Sequence, residues 1–326
     1  MMTQVSTKLG LPVQAVEKDW WVTLVLKALY SLPMGKYFIF KGGTSLSKGW
    51  KLIERFSEDI DIALSPEAFG RTYQDRPSHS YVKMLKREGC EYTSTVVCET
   101  LKQELTNMGI PAGMVQIEPE EVLPSMPDKD PQTLYIHFPS LFTSGGYMLD
   151  PVKVEFGVRS LRDPFSNVEI LSILGAETES PAYSETAFEV MAVEPRKTFM
   201  EKMLLLHEKF EQGIQSDVGQ RQSRHLYDLH RMIQKGIAEQ VIEDKVLYQT
   251  LLQHRAHYVR LKGIDYDVLQ LDALNFIPPG NLLNFFREDY NVMREQMMYG
   301  NIPDFDTILA SLTFLQKRIG QGVVDR

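Results

Sequence analysis

Two neighbouring segments constrain this chain more than any other part of it: Lys41-Gly42-Gly43-Thr44-Ser45-Leu46-Ser47-Lys48 and Arg55-Phe56-Ser57-Glu58-Asp59-Ile60-Asp61-Ile62. The run Tyr37-Phe38-Ile39-Phe40 ahead of the first is bulky and apolar and reads as a short buried strand. It stops at two glycines, which permit positive φ and let a ligand approach the backbone closely. Thr44 and Ser45 add hydroxyls where a helix, expected over 44–54, begins, and the free N–H groups of such a turn can hold phosphate oxygens. Lys41, Gly42, Gly43, Thr44, Ser45 and Lys48 are the candidate phosphate contacts, although a lysine on a helix surface, as Lys48 is expected to be, is most often solvated. In the second segment Ile60, Ile62 and Leu64 alternate with Asp59, Asp61 and Ala63, so a strand puts both aspartates on one face. Adjacent carboxylates repel unless a cation neutralises them, and magnesium takes one or two carboxylates plus substrate phosphates. An isolated Asp-x-Asp is more often a solvated edge or turn; the Gly-Gly-Thr-Ser turn beside it sets this one apart. The pair of features reads as a phosphate cradle next to a metal-binding pair, suited to transfer from a nucleoside triphosphate. A Walker A loop is excluded, because Lys48 precedes Gly49 and Trp50 rather than following a glycine and leading into Ser or Thr.

The 326 residues are enough for two domains, with 43% hydrophobic and 24% charged residues, as in an ordinary globular protein. A net charge of −8 argues against indiscriminate coating of nucleic acid while leaving room for a local basic groove. Cys90 and Cys98 suggest neither a disulfide framework nor a zinc site, and a cytoplasmic location is expected. The first residues do not read as a signal peptide, and no apolar run is long enough for a membrane span.

Residues 12–31 read as an amphipathic packing helix with Glu17, Lys18 and Asp19 outside; the functional alternative is that Lys18 or Asp19 reaches a nucleotide. A helix is expected from about Ser80 to Met108, interrupted at Gly89, and the proline-rich stretch 109–131 as an irregular connection. Residues 133–138 and 152–158 read as neighbouring strands around a turn at Ser144-Gly145-Gly146. Glu155 is the candidate third carboxylate, completing a metal shell or deprotonating an attacking hydroxyl; a solvated edge-strand glutamate is the plain alternative. Further strands are expected around Val168–Ile173 and Ala187–Val193, and Arg55 could hold the acidic strand by pairing with Asp or Glu. Beyond Glu194-Pro195 helical patterns dominate, and Thr198 with Glu201 has capping-box spacing. In a helix Arg224, Tyr227 and Asp228 share a face. Lys202 and Asp228 read equally well as site residues or as a buried pair tying two helices together. Arg221, Arg224, Arg231 and Lys235 form a local basic cluster, open either to a phosphate backbone or to solvent. The histidine spacings match no zinc motif, so solvated or core-packed histidines are expected.

The two opening segments resemble the signature of the AbiEii/AbiGii toxin family of nucleotidyltransferases, within the polymerase-β-like nucleotidyltransferase superfamily. Glu17-Lys18-Asp19-Trp20-Trp21-Val22-Thr23, Val152-Lys153-Val154-Glu155, Thr198-Phe199-Met200-Glu201-Lys202 and Arg224-His225-Leu226-Tyr227-Asp228-Leu229 resemble its other motifs. The resemblance runs from residue 17 to 229. It implies an α+β fold: a catalytic domain with a mixed sheet and flanking helices over 1–195, then a helical domain over 196–326 contributing Lys202 and Asp228 to the site. It implies Asp59, Asp61 and Glu155 as catalytic residues and as ligands of Mg2+ (or Mn2+), with Arg224 beside the phosphates. The implied reaction moves NMP from an NTP to an acceptor hydroxyl, an RNA and specifically tRNA end, as the toxin of a toxin–antitoxin or phage-defence system with a separate antitoxin protein. A catalytically silent nucleotide- or RNA-binding module and a small-molecule, antibiotic-type nucleotidyltransferase are the alternatives.

Overall fold

The computed structural model describes residues 1–142, 151–178, 183–213 and 221–321. The turn expected at Ser144-Gly145-Gly146 lies outside these residues. Two compact units emerge: Met1–Lys51 with Phe56–Val193, and Leu52–Arg55 with Glu194–Arg326.

In the first unit the bulky run at Phe38 does become a strand. β1 (Phe38–Lys41), β2 (Asp59–Leu64), β3 (Gln116–Pro119), β4 (Gln132–His137), β5 (Val152–Gly157), β6 (Phe165–Ile170) and β7 (Phe188–Val193) form one seven-stranded mixed sheet in the order β3-β4-β5-β2-β1-β7-β6. β2 lies at its centre, antiparallel to β1 and parallel to β5. Alternation divides the faces: Phe38, Phe40, Ile60, Ile62, Val154 and Phe156 are all buried on one, while Asp61 and Glu155 take the other, along with a small apolar cluster of Ile39, Ala63 and Val193. β3 is an edge strand inside the stretch expected to be irregular; it pairs with β4 through Gln116–Pro119, where proline is tolerated. The strand expected to run on to Ile173 ends at Ile170, and Ser172 caps a short helix there, α6 (Ile173–Glu177), by accepting from Gly175 N.

Helices α1 (Met2–Leu9) and α2 (Val13–Ser31) precede the sheet. The expectation that Glu17, Lys18 and Asp19 face solvent is wrong: all three are buried, at 2%, 4% and 3% exposure. Most of α2 is enclosed, including the turn that carries these three residues, so their charges must find partners inside. Lys18 Nζ lies 2.8 Å from Glu58 Oε2, and Lys48 Nζ 2.5 Å from Asp19 Oδ1. Ile173 N donates to Asp19 Oδ2 at 2.6 Å, and Ser140 Oγ and Leu141 N donate to Glu17. After β1 the chain winds through α3 (Gly42–Thr44) into a wider turn over Ser45–Gly49, with Trp50 N bonded to Ser45 O. Helical winding therefore starts earlier and stops earlier than the expected 44–54.

The long helix is continuous rather than broken: α4 (His79–Tyr92), a wide turn over Thr93–Val97, then α5 (Cys98–Asn107). Gly89 is there for close approach, since a Cβ would come within 2.2 Å of Val158 Cγ1. Cys90 and Cys98 are buried free thiols.

The second unit is helical: α7 (Pro195–Gln212), α8 (Ser223–Gln234), α9 (Ile237–Glu243), α10 (Lys245–His254), α11 (Leu283–Met297) and α12 (Phe305–Gln321). α8 packs against α7, α9, α11 and α12, which explains its buried Leu226, Tyr227, Leu229 and Met232. Thr198 is not the cap expected of it. The helix begins at Pro195, a residue suited to the first turn because it has no N–H to leave unbonded. Arg231, expected in an open basic cluster, is buried and sits 2.9 Å from Glu54. His207, His225, His230 and His254 are buried too. Among the described residues no helix is long and apolar enough to cross a membrane.

The Lys18–Glu58 pair gives a direct test of these buried charges. Glu58→Ala removes the carboxylate from a buried ammonium and should lower stability by about 3–5 kcal/mol in urea unfolding followed by Trp20 and Trp21 fluorescence. The double change Lys18→Met/Glu58→Leu should recover most of that loss.

Candidate active site

Strand register decides which side chains meet. β2 pairs with β5 so that Asp59 is opposite Lys153 and Asp61 opposite Glu155; β1 places Lys41 opposite Asp61. Directly opposed residues project from the same face of a sheet. Asp59, Asp61, Glu155, Lys41 and Lys153 therefore share one half-buried patch at the middle of the sheet. Glu155 lies beside Asp61 across the strand pair, and its Oε1 lies 2.6 Å from Lys153 Nζ. Burial, then the Asp61 charge, push the Glu155 carboxyl above the ordinary carboxylate range against the pull of Lys153. Burial draws the Lys153 ammonium down, but the Glu155 hydrogen bond and the charges of Glu155 and Asp59 outweigh it and leave it raised.

Among the described residues no three His, Cys, Asp or Glu side chains are gathered into a finished metal cage. The donor chemistry nevertheless suits a hard divalent cation: oxygens only, from carboxylates crowded enough to raise Glu155, with an ammonium standing in as the positive charge.

Gly42 turns the chain toward this patch. Its φ is +80°, and a Cβ would meet Asp61 Oδ2 at 2.1 Å, so both conformation and space require glycine. Gly43 follows in the same turn. Thr44 and Ser45 are fully buried, and their hydroxyls serve the scaffold: Thr44 donates to the Asp59 carbonyl and Ser45 to Gly42 O at 2.9 Å. Lys48 is buried against Asp19 rather than solvated, so phosphate contact from it requires that pair to open.

The second unit holds the other candidates. Asp228 is fully buried and takes Arg55 through two bonds, Nε at 2.7 Å and Nη2 at 2.8 Å, with Lys202 Nζ 2.9 Å from Oδ2. Arg55 thus pairs with a helix residue, whereas the sequence suggested the acidic strand. Burial works against the Asp228 carboxylate, but the charges of Arg55 and then Lys202 bring it from 3.8 to about 2. Lys202 shares that carboxylate with Arg55; burial first, and then the Arg55 charge, lower its ammonium despite Asp228. His225 Nδ1 lies 3.4 Å from Lys202 Nζ, and burial followed by the charge of Lys202 keeps its imidazole well below the usual range. Arg224 stands one turn before Asp228 on α8. Lys209, not singled out in the sequence, donates to Gln222 and is lowered to about 8 by burial, then by Arg224 and Lys202. Its seven-residue spacing from Lys202 on one helix was the available signal. For Arg55 none was, because its partner is distant in sequence.

The family model described as the nucleotidyl transferase AbiEii toxin of type IV toxin–antitoxin systems matches residues 24–311, and the chain belongs to that family. Among solved structures the chain is similar to the MenT4 nucleotidyltransferase toxin of Mycobacterium tuberculosis, with 15% identity, 98% of this chain and 97% of that one covered and a TM-score of 0.45. It is also similar to JHP933 of Helicobacter pylori, with 11% identity, 96% of each chain covered and a TM-score of 0.39. Membership rests on the family model and not on these likenesses. No curated protein matches the chain.

The depressed Asp228 carboxyl has a pH signature. A group lowered from 3.8 to about 2 contributes its stability above pH 4 and loses it as pH falls toward 2. Asp228→Asn should therefore lower stability by about 3–5 kcal/mol at pH 7. The gap to the wild type should narrow once the pH drops below about 4, read as urea midpoints across the pH series.

Proposed function

We propose that this nucleotidyltransferase is metal-dependent and moves NMP from an NTP to the end of an RNA, with tRNA as the acceptor class, acting as a toxin held in check by a separate antitoxin protein. The observation that carries the metal reading is the register of β2 against β5, which sets Asp61 beside Glu155 and Asp59 on the same face. Asp59, Asp61 and Glu155 would hold Mg2+ or Mn2+. When bound, such an ion neutralises the polyphosphate and stabilises the charge that passes to the leaving pyrophosphate.

The chain's own residues do the rest. Gly42 leaves room for the Asp61 carboxylate, and the backbone N–H groups of Gly43 and Thr44, at the start of the turn, would be the donors to phosphate. Lys41, opposite Asp61, adds a cation at the strand end. Thr44 fixes the start of β2 through the Asp59 carbonyl. Lys202, which Asp228 orients, and Arg224 would be the second unit's cations for phosphate oxygens. The acceptor hydroxyl gives up its proton to a carboxylate of the patch, for which Glu155 is the candidate, its oxygen bonds to the α-phosphorus, the bond to the bridging oxygen breaks, and pyrophosphate leaves with that electron pair.

Incubation of the full chain with each α-labelled NTP, magnesium and total tRNA tests this. Label should reach tRNA with the wild type and fall at least about a thousandfold with Asp59→Ala/Asp61→Ala, as for the loss of a charge-stabilising group. Label on a small molecule instead would replace the RNA acceptor, and transfer unchanged in the double variant would overturn the site. Gly42→Ala should also abolish transfer while costing only about 1–3 kcal/mol of stability, because the added methyl displaces the Asp61 carboxylate.

A further inference from the structure

Three of the lysine–carboxylate pairs in the first unit lie at the glycine turn and the acidic strands, and their surroundings differ. Lys18–Glu58 is sealed, with side chains 5% and 3% exposed, and Lys48–Asp19 likewise, at 6% and 4%. Lys153–Glu155 is open, with both side chains 26% exposed. The sealed pairs cannot part without stranding buried charge. The half-buried pair can part more cheaply than the sealed ones, since both of its ends already reach solvent.

Its position is as telling as its exposure. Lys153 stands opposite Asp59 on β2 and two residues from Glu155 on β5, so it borders two members of the carboxylate patch. On its other side β4 places Tyr135 opposite it. A four-carbon stem lets the ammonium leave the patch while its Cα stays in the sheet. A divalent cation carries twice the charge and can bind several carboxylates at once, which one ammonium cannot do as tightly.

We propose that Lys153 is a resident counter-ion that holds the Asp59–Asp61–Glu155 patch together in the metal-free protein and is displaced when a divalent cation loads. The inference rests on the metal reading of the patch, and it makes Lys153 a positioning residue rather than a catalytic one. Removing Lys153 relieves the repulsion it exerts on the incoming ion. For charges of +1 and +2 about 6 Å apart in water this corresponds to about tenfold in affinity. The same removal destabilises the empty patch, whose carboxylates lose their cation.

The test is titration of the full chain with Mn2+ alone, at fixed pH and without nucleotide, by calorimetry and by thermal melting. Lys153→Met should bind Mn2+ about tenfold more tightly than the wild type, melt lower without metal, and show the larger rise in Tm on adding Mn2+. Lys153→Arg keeps the pair and should bind as the wild type does. Lys153→Gln serves if the methionine variant does not fold. Unchanged or weaker Mn2+ binding by a folded Lys153→Met or Lys153→Gln overturns the inference, because a merely structural lysine would lower Tm equally with and without metal. Asp59→Asn/Asp61→Asn separates the two readings. If that variant binds Mn2+ as the wild type does, the metal site itself is misplaced; if it does not bind and Lys153→Met is unaltered, only the counter-ion role fails.

Discussion

The parallel pairing of β2 with β5 is the constraint on which the carboxylate patch of the first unit depends. Side chains alternate along a strand, so a slip of one residue would send Glu155 to the apolar face and bring Phe156 or Val154 into the patch. The apolar half of the alternation forbids that slip: Ile60, Ile62, Val154 and Phe156 are essentially unexposed. The carboxylates are therefore held close by the burial of their neighbours and against their own repulsion. Burial and then the Asp61 charge raise the Glu155 carboxyl, and Lys153 beside it moderates the rise.

Buried ion pairs then fix what the sheet alone leaves loose. From one turn of α2, Lys18 reaches Glu58, the residue before Asp59, and Asp19 reaches Lys48, at the far end of the glycine turn. A single helix thus grips both halves of the motif. Pairs of this kind give little net stability, because desolvation offsets much of the Coulomb gain. Their value here is positional: an apolar substitute would fill the volume without specifying where the turn and the strand lie. In the second unit Asp228 plays a comparable part, taking the fork of Arg55 and the ammonium of Lys202 from one buried carboxyl.

What the sequence discloses follows from the range of each interaction. A bulky apolar run marks β1, and alternation over a few residues marks β2 and β5, setting Asp59 and Asp61 on one face of β2 and Glu155 on the polar face of β5. The long helix from His79 is equally legible, except that Gly89 reads as a break when its true reason, Val158 against its backbone, is a contact from elsewhere in the chain. The burial of Glu17, Lys18 and Asp19 is illegible because nothing local tells a solvated charge from one whose partner arrives from residue 48, 58 or 140. The Arg55–Asp228 fork spans 173 residues, so the sequence points Arg55 at its nearest acids instead. Lys202 and Asp228 are singled out by family resemblance, since helical spacing alone fits a site or a structural pair equally well.

The central claim is that Asp59, Asp61 and Glu155 together hold a divalent cation against the phosphates of a nucleoside triphosphate. Anomalous scattering from crystals of the full chain grown with Mn2+ and a non-hydrolysable NTP analogue tests it most directly. The account predicts a manganese peak within coordination distance of carboxylate oxygens from Asp59 and Asp61, with Glu155 beside it and phosphate oxygens completing the shell. An ordered nucleotide whose manganese lies away from these carboxylates would contradict it.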